Sequence, residues 1–129
     1  MGQPAAKNGD KVTATDQHLI QPPGTSPPVP VSHPFNGTIN GGLSGDVNHM
    51  GQAAATVGST AQNLPPHIPQ GGSFVNPPAN KGTIIKGSGT VFINGKPAAR
   101  SGDTALTCND PVDAPVGQVV AAGTVFIGG

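Results

Sequence analysis

Tryptophan and tyrosine are missing from this chain, and phenylalanine occurs only 4 times in 129 residues, so no aromatic cluster is available to build a thick core. Cysteine occurs once, at Cys108, which excludes a disulfide within the chain. Charge is scarce as well: 9% of residues are charged, 6 basic against 6 acidic, and every acid is an Asp. Such a chain projects no net field to recruit a polyanion or an anionic membrane, and nucleic acid is not an expected partner. The stretch from Met1 to Asp10 lacks the roughly 7–15 apolar residues of a signal-peptide core. No run approaches the ~20 apolar residues of a membrane helix. Synthesis in the cytoplasm is therefore expected.

Glycine and proline are abundant instead, at 20 and 15 residues. A share that high fits low complexity or disorder, but the chain also lacks the strong charge that keeps a disordered segment solvated. The length suits one domain, residues 1–129. A core poor in large side chains needs a staple. With disulfides excluded, a metal or tight association with a partner is left.

Internal repetition organises the chain. Pro4-Ala5-Ala6-Lys7-Asn8-Gly9-Asp10, Ala53-Ala54-Ala55-Thr56-Val57-Gly58-Ser59 and Pro97-Ala98-Ala99-Arg100-Ser101-Gly102-Asp103 align without gaps. A second, Gly-led element recurs: Gly37-Thr38-Ile39 before Val47, Gly82-Thr83-Ile84-Ile85 before Val91-Phe92-Ile93, and Gly117-Gln118-Val119-Val120 before Val125-Phe126-Ile127. The copies interleave as one cyclic pattern cut open at the termini. This predicts pseudo-threefold symmetry, with the chain ends side by side.

These elements read as short strands, because β-branched and aromatic residues cluster between turn signals. Asn94-Gly95 is a strong hairpin signal, since both central positions of a type I′ turn require positive φ. Pro97 confines its strand to an edge. The helical apolar spacing from Met50 to Ala61 is explained as a repeat copy. Gln21 to Pro30 and Leu64 to Asn80 read as extended, polyproline-like loops.

The run from Gly87 through Thr90-Val91-Phe92-Ile93-Asn94-Gly95-Lys96-Pro97-Ala98-Ala99-Arg100 to Asp103 resembles the signature of PAAR-repeat proteins. Asp16-x-His18, His33-Pro34-Phe35-Asn36-Gly37, Pro65-Pro66-His67-Ile68-Pro69 and Thr107-Cys108-Asn109-Asp110-Pro111 are similar to the longer, toxin-associated PAAR-like branch. The chain departs from the signature at Lys7 in the first copy and at Ala53 and Thr56 in the second. The resemblance implies an all-β fold: a small cone-shaped pseudo-threefold β-hairpin structure with long Pro/Gly-rich loops. It also implies a flat base that binds a trimeric valine-glycine-repeat (VgrG-like) spike, one cone per trimer, and an apex holding one zinc ion. The function implied is a spike tip of a type VI secretion or related contractile injection system. Such a tip is made in the bacterial cytoplasm, exported by the machine, in transient contact with a target membrane, and able to carry effector proteins.

Family cones bind zinc through His and Cys near the apex, and the repeats select among the 4 His. His18 follows Asp10 by the same interval as His67 follows Ser59, and Cys108 trails Asp103, so these occupy equivalent places in the copies. His33 stands at the entry to a Gly-led strand. His18, His33, His67 and Cys108 would close a tetrahedral structural zinc site. His49 aligns with Ile93 and is assigned to the framework. Asp16 reads as a turn-opening residue, or else as a carboxylate orienting the His18 imidazole. Arg100 reads as a framework residue bonded to nearby carbonyls or to Asp103.

Two further functions compete. Cys108 with His67 or His18 as base has the residue types of a cysteine hydrolase, against the lack of an oxyanion loop or a pocket-sized core. A cargo-adaptor or immunity-type module would instead bind a toxin through its loops. Neither fits the repeat pattern as a spike tip does, and no catalytic residue is expected.

Overall fold

The computed structural model describes residues 2–128, and among them there is no helix. Met1 and Gly129, the expected end of the final strand, lie outside the described residues. Short strands β1 (Gln3–Pro4), β4 (Asn48–His49), β5 (Gln52–Ala53), β9 (Phe92–Ile93), β10 (Lys96–Pro97) and β13 (Phe126–Ile127) form one end of the molecule. Strands β2 (Lys11–Gln21), β3 (Val29–Gly41), β6 (Thr60–Asn63), β8 (Lys81–Ile84), β11 (Thr104–Thr107) and β12 (Ala114–Val120) form a sheet. That sheet closes on itself, because β12 pairs β2 as well as β11. Strand β7 (Ser73–Phe74) pairs the far end of β2.

The threefold pattern is written in backbone hydrogen bonds. Ala6 N–H donates to the Ala99 carbonyl, Ala99 N–H to Ala55 and Ala55 N–H to Ala6, each at 3.0 Å. This ring closes around the pseudo-threefold axis and buries all three alanines completely. Only a side chain as small as Ala leaves room for three backbones to approach so closely. Beside each alanine pair the chain turns through a glycine with positive φ, at Gly9, Gly58 and Gly102. An L side chain adopts that conformation only with strain, which explains the glycine in each copy. A side-chain oxygen closes each turn: Asp10 Oδ2, Ser59 Oγ and Asp103 Oδ2 accept the N–H of Lys7, Thr56 and Arg100 at 3.0, 2.9 and 2.9 Å.

The short strands pair as three hairpins, β4 with β5, β9 with β10, and β13 with β1. Asn94-Gly95 turns with φ of 52° and 78°, and Met50-Gly51 does the same with 51° and 79°. The third hairpin joins the two ends of the chain, with Gln3 opposite Ile127, as the cyclic reading expects. Arg100 binds Asp103 through Nε at 3.3 Å and donates from Nη1 to the Gly128 carbonyl at 3.1 Å, the expected framework role.

Each strand of the closed sheet contributes an aliphatic side chain to the interior: Val12, Ile39, Ala61, Ile84, Ala105 and Val119 are at most 1% exposed. Burying a Val or Ile fully is worth about 1.5–3 kcal/mol, so this narrow core gives limited stabilisation. Phe35, 2% exposed, fills the next layer. The Gly-led motif has its reason here. A Cβ at Gly37 would meet Phe35 Cε1 at 2.6 Å, and one at Gly117 would meet Thr107 Cγ2 at 2.8 Å. Glycine in a strand marks such close approaches.

Three expectations are corrected. Val29 and Pro30, read as part of a loop, open β3, which pairs β2 from Lys11 opposite Thr38 to Ile20 opposite Val29. The β12 and β6 pairings reach only Lys11–Thr13 of β2 and Gly37–Gly41 of β3. The rest of the ribbon therefore extends past the closed sheet. Pro30 and Pro34 are tolerated because the outer edge of β3 has no strand there to accept from. Asp16, read as a turn residue, instead lies mid-strand with no exposure. His33 also sits in mid-strand rather than at a strand entry, directly opposite Asp16.

Candidate metal centre

Along β2 the even-numbered residues face inward, which places Val12, Asp16, His18 and Ile20 on one side. On β3 the odd-numbered residues His33, Phe35 and Ile39 face the same way. The inner face of the ribbon thus becomes polar beyond Phe35. Two other segments close over it. The residues after β11 run along the edge of β2: Gln17 N–H donates to Asn109 Oδ1 at 2.7 Å, Asp110 N–H to the Gln17 carbonyl at 2.8 Å, and Leu19 N–H to Asp110 Oδ2 at 2.8 Å. These bonds seat Cys108. The Leu64–Asn80 segment is anchored where His67 N–H donates to Asn80 Oδ1 at 2.8 Å, which brings the His67 ring over the ribbon.

Among the described residues, one donor atom each from Asp16, His18, His67 and Cys108 lie within 4.8 Å of one another. Cys108 Sγ is 3.7 Å from His18 Nε2 and 3.4 Å from Asp16 Oδ2, and His67 Nε2 is 2.9 Å from the same Oδ2. Asp16 Oδ1 accepts from the Thr107 hydroxyl at 2.6 Å. Of the residues read from the sequence, His18, His67 and Cys108 meet. His33 stands beside them, its ring centroid 5.6 Å from those of His18 and His67, but it is not in the mutually close set. His33 Nδ1 bonds the Val31 carbonyl at 2.9 Å, and its Nε2 is buried and without a partner. His49 lies on the β4–β5 hairpin at the level of Ile93 and Ile127, as its alignment requires.

Electrostatics at the site are unfavourable without a cation. Burial, and next the Asp16 carboxylate, push the Cys108 thiol up to about 11. Burial, and then the neighbouring His67, lower His18. His18 Nδ1 is 3.5 Å from Asp110 Oδ2, too poorly aimed for a hydrogen bond, and is unpartnered. Buried polar atoms without partners are rare in folded proteins. A thiol, imidazoles and a carboxylate converging on one point, with the buried His33 Nε2 left unpaired beside them, fit a metal ion, and nitrogen and thiolate donors suit zinc. As a catalytic pair, Cys108 with His18 or His67 fails on the same facts. An attacking thiolate needs a lowered pKa and access, whereas this thiol is raised and 3% exposed.

The profile of the PAAR motif family matches residues 31–114 and again residues 76–129. The chain belongs to the PAAR motif family. No curated protein matches it closely enough to add a named relative. The overlapping matches agree with the internal repetition, since a PAAR motif can be laid on this cyclic chain in more than one register. PAAR proteins are structural spike-tip modules. Asp16 is the member of the cluster that the sequence reading left outside the ligands. Its signal was the interval to His18, since residues two apart on a strand share a face.

Proposed function

We propose that this PAAR chain is the tip of a trimeric valine-glycine-repeat spike in a type VI secretion or related contractile injection system, bound one cone per trimer. The family match is the observation that carries this reading. The hairpin end supports it physically, because three hairpins stand around the alanine ring, with Phe92, Phe126 and Asn48 at the matching positions facing a threefold partner. Phe92 and Phe126, 58% and 59% exposed at equivalent positions, are apolar anchors of the kind that interfaces bury. The tip is made in the cytoplasm and leaves the cell with the spike. The proline-rich loops are the surface left for an effector.

A structural zinc completes the proposal. His18, His67 and Cys108 hold it, with the His33 imidazole beside them, and the ion replaces the large core that the composition denies. Mixing the purified chain with a cognate spike trimer and measuring mass by native mass spectrometry tests the docking. One chain per trimer is expected. Three chains per trimer, or no complex, would sink the reading.

A further inference from the structure

Of the three turns beside the alanine ring, one has lost its basic side chain. In the first copy Lys7 Nζ reaches Asp10 Oδ2 at 3.1 Å and the Ala122 carbonyl at 2.8 Å. In the third, Arg100 Nε reaches Asp103 Oδ1 at 3.3 Å and Nη1 the Gly128 carbonyl at 3.1 Å. The second copy has Thr56 and Ser59 at these places, so cation and acid are gone together. Thr56 is buried, and its hydroxyl turns back to the Val57 carbonyl at 3.2 Å. A pocket of about 130 Å³ stands open beside it. Ser44 and Asn94, the counterparts of Ala122 and Gly128, line that pocket with Leu43, Asp46, Ile93 and Lys96. The space that a basic side chain crosses in the other two copies is therefore empty in this one.

The pocket also has an acid of its own. Asp46 aligns with Thr90 and Thr124, so a carboxylate at this place occurs in one copy alone. Its Oδ2 accepts from Asn94 Nδ2 at 2.9 Å, and the Ser44 hydroxyl donates to Asn94 Oδ1, which ties carboxylate and amide into one wall. Among the described residues no Lys or Arg pairs with Asp46. Lys96 lines the same pocket without coming within ion-pair distance of it.

We propose that this pocket receives an Arg side chain from a protein bound once per cone, with the guanidinium on the Asp46 carboxylate and the stem against Leu43 and Ile93. A guanidinium is planar and carries several donors, so it can bond a carboxylate and a neighbouring carbonyl together, as Arg100 does with Asp103 and Gly128. Symmetry decides the kind of partner. A threefold spike presents the same group to every corner, and at two of them Lys7 and Arg100 already fill the place. A pocket found at one corner suits a partner without that symmetry, which is a cargo protein rather than the spike. The Thr56 corner thus joins the proline-rich loops as surface for an effector. The cargo role rests on the carrier reading above, whereas the pocket and its preference for a cation do not.

The full chain is titrated with n-butylguanidinium, and separately with its neutral analogue n-butylurea, at constant ionic strength, and followed by amide NMR. Saturable shifts centred on Ser44, Asp46 and Asn94 are expected, with a Kd on the order of 1–10 mM for so small a probe. Butylurea should bind at least about tenfold more weakly, because it lacks the charge. Asp46→Asn should weaken butylguanidinium by about tenfold. Thr56→Arg, which copies Arg100, should abolish its binding by filling the pocket. Asp46 is exposed, so Asp46→Asn still decides if Thr56→Arg does not fold. Shifts that never saturate, equal binding of the two probes, or unchanged affinity in Asp46→Asn would overturn the proposal. The spike is absent from the titration, so each outcome stands apart from the stoichiometry of the spike complex.

Discussion

Phe35 and Gly37 stand two residues apart on the inner face of β3, and the ring lies so close over the glycine that an added Cβ would sit 2.6 Å from Cε1 and 3.0 Å from the Ala61 Cβ. Neither neighbour can yield, since both belong to the fully occupied interior of the closed sheet. Gly37→Ala should therefore destabilise the protein by about 1–3 kcal/mol, the usual cost of overpacking. Gly45→Ala, where an added Cβ meets nothing within 4 Å, should change stability by less than about 0.5 kcal/mol. Urea denaturation at fixed zinc concentration measures both, and equal effects would contradict the packing argument.

The turn at Asp103 predicts which replacements the repeats tolerate. Its carboxylate accepts the Arg100 N–H at 2.9 Å, and in the second copy the Ser59 hydroxyl does the same for Thr56 at 2.9 Å. Asp103→Ser should keep that bond, whereas Asp103→Ala should lose about 1 kcal/mol more, because a buried N–H is left unpaired. Thermal melts of the two variants rank them, and Ser no better than Ala would show that the charge rather than the turn bond matters.

Removing the metal should cost at least as much as the largest of these substitutions. Zinc bound to the folded form alone stabilises it in proportion to the logarithm of its free concentration, about 2.7 kcal/mol at a hundredfold excess over Kd. Adding a strong chelator, or replacing Cys108 by Ser, should lower Tm by about 10 °C and make Cys-specific alkylation of the chelated wild type fast. Unchanged melting with chelator would show that the fold stands without an ion.

His49 should make stability fall with acid. Its imidazole is 9% exposed, and burial, followed by the Lys7 charge, lowers its pKa below the ordinary value. The unfolded chain then binds the proton more readily than the folded one, so stability is level above about pH 6.5 and declines as pH falls below it. His49→Ile, which copies Ile93 and Ile127 at the matching corners, should be more stable and should shed part of that slope. Zinc-loaded melts between pH 7.5 and 5.5 compare the two, and parallel profiles would sink this account.

The sequence alone determined the parts of the fold that rest on local and repeated chemistry. Glycines with positive φ, the Asn94-Gly95 turn, the Ala-Ala pairs and the joined chain ends each follow from constraints within a few residues. Repetition then extends them around the axis. The scarcity of large side chains, together with a lone Cys, pointed to a staple other than a disulfide. His18, His67 and Cys108 could be chosen because they follow equivalent repeat positions.

Only the tertiary structure decided what lies beyond the repeats. The β2–β3 ribbon was hidden because Gln21 to Pro30 read as a polyproline-like loop, and an edge with no partner strand removes the penalty of Pro30 and Pro34. Asp16 read as a turn residue because nothing within its own strand compensates a buried acid. The groups beside it, Thr107, Cys108, Asn109 and His67, arrive from segments 51 to 93 residues away, and such convergence depends on how the sheet closes rather than on any local pattern.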